Sequence, residues 1–461
     1  MSQFETTQIQ QDDFIRVSEL GFKDSHDKPF FIQGINYWSC MNLAAEAEMG
    51  GNLTRLQVEL DRLKEVGVNV IRIMAATEGA SAKQPFRVYP VMQPSPGQWD
   101  ERMFVALDRC IAEAGKRNIR VLMVMGNTWQ WTGGIAQYVS WANDDLQIPY
   151  PRSWDMKAAP QRDDGYAGWG NWTDAEAPSQ GGDDFMSFQA RFYEDTKAQE
   201  LYENHLLKVL NRTNSITGRA YVHDPTILAW EPLNEPQTAD AAGKKIAGTS
   251  EDDPMIAWHH KVSSLIKSKA PHQLSTTGSE AKQSEALFKS LHAHHSIDFC
   301  CAHIWAEIWG YYDMLDGSSN SLQKAKHFAS KYLDKVRSWS NDISKPIILE
   351  EFGMARDNWK NKDSAYTYST KASTTHRDAY FSHLFEIVFS SFQQRTGFAG
   401  LMPWSYGGLF DTETQQYNSF DMVLAGDPPQ EPPGWFSVLY NDSTMGLMSK
   451  WHEQVVSLFV C

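Results

Sequence analysis

Short apolar runs rich in β-branched and aromatic residues alternate with longer amphipathic stretches along the whole chain. The runs are FFIQGINYW (30–38), VNVIRIMAA (68–76), IRVLMVMGN (119–127), TILAWEPLNE (226–235), QLSTTGSE (273–280), IDFCCAHIW (297–305), PIILEEFG (346–353) and GFAGLMPW (397–404), eight in all. Helical patterning fills the intervals. In LTRLQVELDRLKEVGV (53–68), Leu56, Leu60 and Leu63 recur at spacings of four and three. ERMFVALDRCIAEAGKR (101–117), PMIAWHHKVSSLIKS (254–268) and HRDAYFSHLFEIVFSSF (376–392) read the same way. Near-continuous apolar strands suit a parallel sheet covered on both faces. Eight alternating units predict the α/β class and a (β/α)8 TIM barrel, although an open doubly wound sheet carries the same alternation.

No Pro/Ser-rich linker and no internal repeat divides the chain, so one barrel domain is expected over 29–461, with 1–28 as an N-terminal extension closing the barrel bottom. The segment 128–195 has neither period and predicts a long loop after strand three. It leaves the C-terminal end of that strand, the face where barrel sites sit, and its Trp129, Trp131, Trp154, Trp169 and Trp172 are placed to wall a cleft.

Composition narrows the classes of partner. The 461 residues are 42% hydrophobic and 21% charged, enough apolar content for a large core. A net charge of −15 argues against nucleic acid and anionic membranes, which need clustered Lys and Arg. No stretch nears the ~18 consecutive apolar residues of a membrane helix. The 17 Trp suggest a ligand that stacks on rings, such as a sugar, or a Trp-rich core. Oligomeric state leaves no mark in the sequence.

Five cysteines (Cys40, Cys110, Cys300, Cys301 and Cys461) show no CxxC pair and no metal spacing. Their odd number leaves at least one thiol unpaired, which favours a reducing compartment. The N-terminal residues lack the pattern of a signal peptide, a lean towards the cytoplasm. Four N-x-S/T sequons, starting at Asn52, Asn171, Asn211 and Asn441, pull towards secretion, and localisation stays open. The histidines of HAHH, at 292, 294 and 295, are expected on a solvated helix-to-strand loop rather than around a metal.

Two acidic clusters end strands. LAWEPLNEP closes the fourth run with Asn234 and Glu235, and ILEEFG closes the seventh with Glu350 and Glu351. Carboxylates in the body of an apolar strand are costly, whereas at a barrel mouth they can be solvated and used. NEP alone is a weak signal, but NEP after strand four together with EEFG after strand seven, 116 residues apart, is a strong one. Alternation puts Ile347, Leu349 and Glu351 on one strand face and Glu350 on the other, so Glu350 is expected as a structural charge paired behind the strand.

NEP after strand four with EEFG after strand seven resembles glycoside hydrolase family 5, in the clan of (β/α)8 retaining glycosidases. INYW, VNVIRIM, GNTWQWTGGIAQYVSW, NRTNSITGRAY, DPTILAWEPLNEP, TTGSE, HIW and EEFG look like its β-mannanase and β-mannosidase branch. The resemblance implies Glu235 as acid/base and Glu351, directly before Phe-Gly, as nucleophile. It implies Arg72 as the residue orienting the nucleophile, with an ion pair at the barrel end as the plainer role. Asn234 matches the residue that bonds the sugar 2-hydroxyl, His303 the histidine beside the catalytic pair, and Trp404 the platform under the sugar. The wider family often has Tyr where Trp305 stands; Trp has no acceptor for that bond, so Trp305 is expected to wall the site with Trp309. Trp129 and Glu280 are further substrate-binding candidates, Glu280 alternatively capping a loop.

The implied activity is double-displacement hydrolysis of β-1,4-mannosidic bonds in manno-oligosaccharides or mannan, with no cofactor and no metal. No secretion signal or appended binding module is visible, and the long loop after strand three is placed to close one end of the cleft. Both features favour an exo-β-mannosidase over an endo-β-1,4-mannanase. A β-1,4-glucanase shares the catalytic pair, and a non-catalytic carbohydrate-binding barrel would keep the Trp residues while losing a carboxylate or Arg72.

Overall fold

Each of the eight apolar runs contributes a strand to one parallel sheet. These are β1 (Ile32–Asn36), β2 (Val70–Met74), β3 (Arg120–Val124), β4 (Ile227–Glu231), β5 (Leu274–Ser275), β6 (Cys300–Ile304), β7 (Ile347–Phe352) and β8 (Phe398–Leu401). In this computed structural model the described residues are 9–79, 87–149, 182–237, 253–282, 284–357, 371–411, 424–429, 431 and 433–459. Neighbours in the sheet run β5-β4-β3-β2-β1-β8-β7-β6. Main-chain bonds from Asp298 to Ser275 (2.8 Å) and from His303 to Glu280 (3.2 Å) join the two ends. The sheet is thereby a (β/α)8 barrel. Every strand residue is buried, which explains why the runs lack a polar face.

Among the described residues, eight helices cover the barrel: α1 (Leu53–Glu65), α2 (Glu101–Gly115), α3 (Thr196–Leu210), α4 (Pro254–Lys269), α5 (Glu285–His292), α6 (Ser319–Asp342), α7 (Thr375–Gln394) and α8 (Ser443–Ser457). Leu56, Leu60 and Leu63 form the buried stripe of α1. Asn52, Asp100, Asp195, Asp253 and Ser284 each accept a backbone N–H at the start of a helix, worth about 1 kcal/mol apiece. At the N-terminal ends of the strands, Arg16–Ser18, Gly21–Lys23 and Pro29–Phe30 form a small antiparallel sheet, with Phe22 edge-on to Phe299 at 5.4 Å.

Three expectations change. The segment after β3 is not structureless where it is described: Gly134–Ala142 and Gly182–Ala190 are helical. All nine side-chain positions of the first are buried, with Tyr138 edge-on to Tyr202 of α3, so its apolar content reads as core rather than cleft wall. Trp154, Trp169 and Trp172 lie outside the described residues. His292 ends α5 and is buried, bonded to Phe288 O and Thr277 Oγ1 at 2.8 Å each, rather than solvated on a loop. Cys40 and Cys110 form a disulfide with Cα atoms 6.2 Å apart, while Cys300 and Cys301 are buried free thiols. The cysteine count therefore carries no argument for a reducing compartment. Among the described residues, no helix is long and apolar enough to cross a membrane.

Candidate active site

Arg72 sits on β2 inside the barrel, 2% exposed, and its five N–H donors reach four side chains. Nε and Nη2 grip both oxygens of Glu231 at 2.9 and 2.6 Å. Nη2 also reaches Asn234 Oδ1 at 2.6 Å, and Nη1 reaches Asn36 Oδ1 at 3.0 Å. The remaining Nη1 bond goes to Glu351 Oε1. One guanidinium thus ties β1, β2, β4 and β7 together at the barrel mouth. Its charge is held well above the usual range: Glu231, Glu351 and Glu350 overcome the opposing effect of burial.

Glu235 lies four residues past Glu231, beyond the end of β4. Its φ of 50° is left-handed, uncommon for a residue with a side chain. Glu235 N donates to Gly278 O at 2.8 Å, locking that turn against the segment after β5. Gly278, at φ +75°, leaves no room for a side chain, because a Cβ would lie 2.2 Å from Leu233 O and 2.3 Å from Glu231 Oε1.

His303 on β6 joins the two carboxylates. Its Nδ1 is 2.7 Å from Glu235 Oε1 and 3.4 Å from Glu351 Oε2, while Nε2 is 3.3 Å from Glu350 Oε2. Facing atoms of Glu235, His303 and Glu351 all lie within 4.8 Å of one another. Trp129 donates its indole N–H to Glu235 Oε2 at 2.5 Å. Burial lowers the His303 pKa, but the Glu351 charge and the bonds to Glu235 and Glu350 more than reverse this and hold the ring well above its ordinary value. Burial alone would raise Glu235; His303, Trp129 and Arg72 bring it below its ordinary value. In Glu351 burial wins over His303 and Arg72 and pushes the carboxyl to about 7. Glu231 is pushed to about 8 by burial and by Glu350, against Arg72.

Glu350 is not behind the strand. The register of β7 against β6 shifts between Leu349 and Glu351, so alternation breaks and Glu350 also reaches His303 inside the barrel. It is fully buried, with Arg72 Nε 4.0 Å away.

Aromatic residues form the next layer. Trp404, after β8, is 6% exposed, with the rings of Trp131 and Trp305 edge-on at 6.4 and 6.2 Å. Trp305 packs edge-on to Phe436 at 5.1 Å. Trp309 lies further along the same loop, near Tyr332 and under Lys282. Glu280 stands apart from the Arg72 network at the end of the β5 segment, where Gln237 Nε2 donates to it at 2.8 Å.

Glu231 and Glu431 do not stand out in the sequence as site residues. Glu231 carries a signal, a carboxylate in an otherwise apolar run. Glu431 lies in the Pro-rich DPPQEPPGW stretch after β8, and its carboxyl comes near the Trp404 side chain. Burial and the charges of Asp427, Glu351 and Glu235 hold it well above the usual carboxylate range.

The chain, whose barrel mouth brings a carboxylate just past β4 and one on β7 to a single histidine, matches the GH family 5 beta-mannosidase-like model over residues 12–459. The chain belongs to that family. This glycosidase is 34% identical to the glycoside hydrolase family 5 mannosidase from Rhizomucor miehei, with a TM-score of 0.84 over 97% of this chain and 99% of that one. A variant of the Rhizomucor protein has been solved with mannosyl-fructose. A putative mannan endo-1,4-beta-mannosidase 9 from Oryza sativa subsp. japonica is 27% identical over 87% of this chain and 83% of its own. The endo-1,4-beta-mannanase from Rhizomucor miehei, 19% identical with a TM-score of 0.60, shares the fold, covering 96% of this chain and 99% of its own.

Proposed function

We propose that this chain is a retaining exo-β-mannosidase that releases mannose from β-1,4-linked manno-oligosaccharides by double displacement. The observation that carries the reading is the approach of Glu235 and Glu351 to within 4.8 Å around His303. Retaining glycosidases hold their carboxyl pair about 5–5.5 Å apart, whereas inverting ones need roughly 6.5–9.5 Å to admit a water. Mannose as the sugar is supported by the mannosidase and mannanase relatives.

Glu351 is the nucleophile, aimed by Arg72 through a hydrogen bond that also favours its ionised form. Glu235 is the acid/base. In the free site Glu235 is ionised and its proton rests on His303 Nδ1, 2.7 Å away. A sugar that expels water from the cleft raises the cost of that buried ion pair and moves the proton onto Glu235. Protonated Glu235 then donates to the leaving oxygen while Glu351 attacks the anomeric carbon. In the second step Glu235 takes a proton from the water that frees mannose from Glu351.

Asn234 is placed to bond the 2-hydroxyl, its carbonyl oxygen fixed by Arg72 and its amide by Asn127. Trp404 supplies the platform and Trp305 the wall. Trp129 binds sugar beside Glu235, and Glu280 with Gln237 offers acceptors to hydroxyls further out. No cofactor is required by this chemistry.

The exo preference rests on Glu431. A polymer must run past both ends of an endo cleft, whereas a third carboxyl beside Trp404 narrows one end and can accept bonds from terminal hydroxyls. Endo-β-1,4-mannanase is the second reading, favoured by the names of the plant relatives. The test is the initial product profile on mannohexaose, linear mannan and a β-1,4-glucan, with Glu235→Ala and Glu351→Ala as controls. Mannose alone with unchanged viscosity supports the proposal. Early mannobiose and mannotriose with falling viscosity establish the endo reading, preferential glucan cleavage overturns the substrate class, and activity surviving both substitutions removes the catalytic assignment.

A further inference from the structure

Glu307 lies two residues past Trp305 on the loop after β6, and its carboxylate bonds to two other loops. Oε2 accepts from Ala355 N at 2.9 Å, on the segment leaving β7 just after Glu351. Oε1 accepts from Trp435 Nε1 at 3.0 Å, in the loop after β8 that carries Glu431. One side chain thus joins three of the barrel's mouth loops.

The β8 loop has an internal shape of its own. Asp427 accepts from Gly434 N at 2.7 Å and Phe436 N at 2.5 Å, and Trp38 Nε1 donates to Gly426 O at 2.7 Å. Those bonds fold the loop and fasten its base to the β1 side. Contact with the β6 and β7 side comes through Trp435, Phe436 and the Glu307 carboxylate. Trp435 stacks on Phe436 at 4.3 Å, and Phe436 meets the edge of Trp305. Gly353 of the β7 segment has no space for a methyl, since a Cβ would lie 2.6 Å from Trp305 and 3.1 Å from Phe436.

We propose that Glu307 is a specificity-positioning residue, a latch that holds Trp435 and Phe436 of the β8 loop against Trp305 and so keeps this part of the mouth packed beside the catalytic pair. The inference rests on the exo reading proposed for Glu431. Glu307 makes no bond to the catalytic carboxylates, and its effect runs through Trp435. Releasing the latch frees Trp435 and Phe436 from Trp305, weakens terminal-sugar binding and admits longer chains across the catalytic pair.

The test compares the full-length parent with Trp435→Phe, Glu307→Gln and Glu307→Ala. Trp435→Phe keeps a ring to stack on Phe436 and deletes only the donor. Glu307→Gln keeps the size but presents an amide N–H to one of its two donors. KM and kcat are measured on mannobiose, and initial products on mannohexaose, after thermal melts establish that each variant folds. The expected result is KM raised about three- to tenfold for Trp435→Phe with kcat within about twofold, a larger rise for Glu307→Ala, and mannobiose and mannotriose appearing among early products. Unchanged KM and products in folded Trp435→Phe would overturn the latch, as would a loss confined to kcat. A parent that already releases mannobiose and mannotriose first overturns the exo reading, and the latch is then judged on KM alone.

Discussion

Glu350 and Glu351 are consecutive in the chain, yet both carboxylates meet His303 inside the barrel, Glu350 at Nε2 and Glu351 at Nδ1. The bulge between Leu349 and Glu351 makes this possible, and it gives the two residues different partners on one imidazole. Glu350 favours the charged form of His303, while Glu351 is the nucleophile in the proposed mechanism.

Glu350→Gln should therefore weaken proton delivery without removing the nucleophile. We expect kcat to fall about 10²-fold on mannobiose, within the range for a disturbed acid/base relay. On 4-nitrophenyl β-mannoside, whose leaving group needs little protonation, the fall should be severalfold smaller. Added azide should restore turnover to Glu351→Ala with the inverted α-mannosyl azide as product. Equal losses on both substrates, or α-mannosyl azide formed by Glu350→Gln, would transfer the nucleophile to Glu350.

The pH profile follows from Glu351. Its carboxyl, as the proposed nucleophile, must be ionised to attack, and burial pushes it to about 7. Below that value the protonated fraction grows, so kcat/KM on mannobiose should drop tenfold per pH unit on the acid side, with the limb centred near 7. An acid limb near the ordinary carboxyl value of 4.5 would mean that His303 and Arg72 outweigh burial at Glu351.

Much of this geometry is legible in the chain because barrel strands are read by their apolar runs and candidate site residues by their place on or just past the strands. Glu235 stands just past a strand end and His303 one residue before one, whereas Arg72 sits in the middle of β2, and the structure brings all three to Glu351. Glu350 is misplaced by the sequence because period-two alternation cannot register a bulge, which depends on pairing with β6. Glu431 escapes notice because an acidic residue in a Pro-rich loop has no periodicity to betray where the loop folds back. The helix Gly134–Ala142 reads as loop because, buried on every side, it shows no polar face.

Cys40 and Cys110 join the short helix after β1 to α2, closing a loop over a separation of 70 residues. On the chain-entropy account such a loop is worth about 4 kcal/mol. Cys110→Ser, or the parent in excess dithiothreitol, should unfold at lower denaturant with an unchanged product profile, since neither sulfur touches the Arg72 network. Identical unfolding midpoints with and without dithiothreitol, with both thiols alkylated in the reduced sample, would show that the bond contributes nothing.

Glu78 offers a stability test independent of catalysis. It is fully buried, accepting from Gly134 N at 2.9 Å and from the Tyr138 hydroxyl at 3.1 Å. Burial pushes its carboxyl up to about 7, against those two bonds and the charge of Arg87. The unfolded carboxyl titrates near 4.5, so between 4.5 and 7 the folded chain keeps a proton that the unfolded chain has lost. Stability from this group is therefore greatest below 4.5 and falls as pH rises to about 7. Glu78→Gln holds the group neutral, and Tyr138 can turn its hydroxyl hydrogen to Gln93 Oε1, 3.2 Å away, to accept the new amide. The Glu78→Gln variant should match the parent at about pH 5 and exceed it at about pH 8, by at most about 3 kcal/mol. Comparing the two proteins at each pH cancels Glu231 and Glu351, which are common to both chains. A difference of the same size at both pH values would show that Glu78 is ionised throughout.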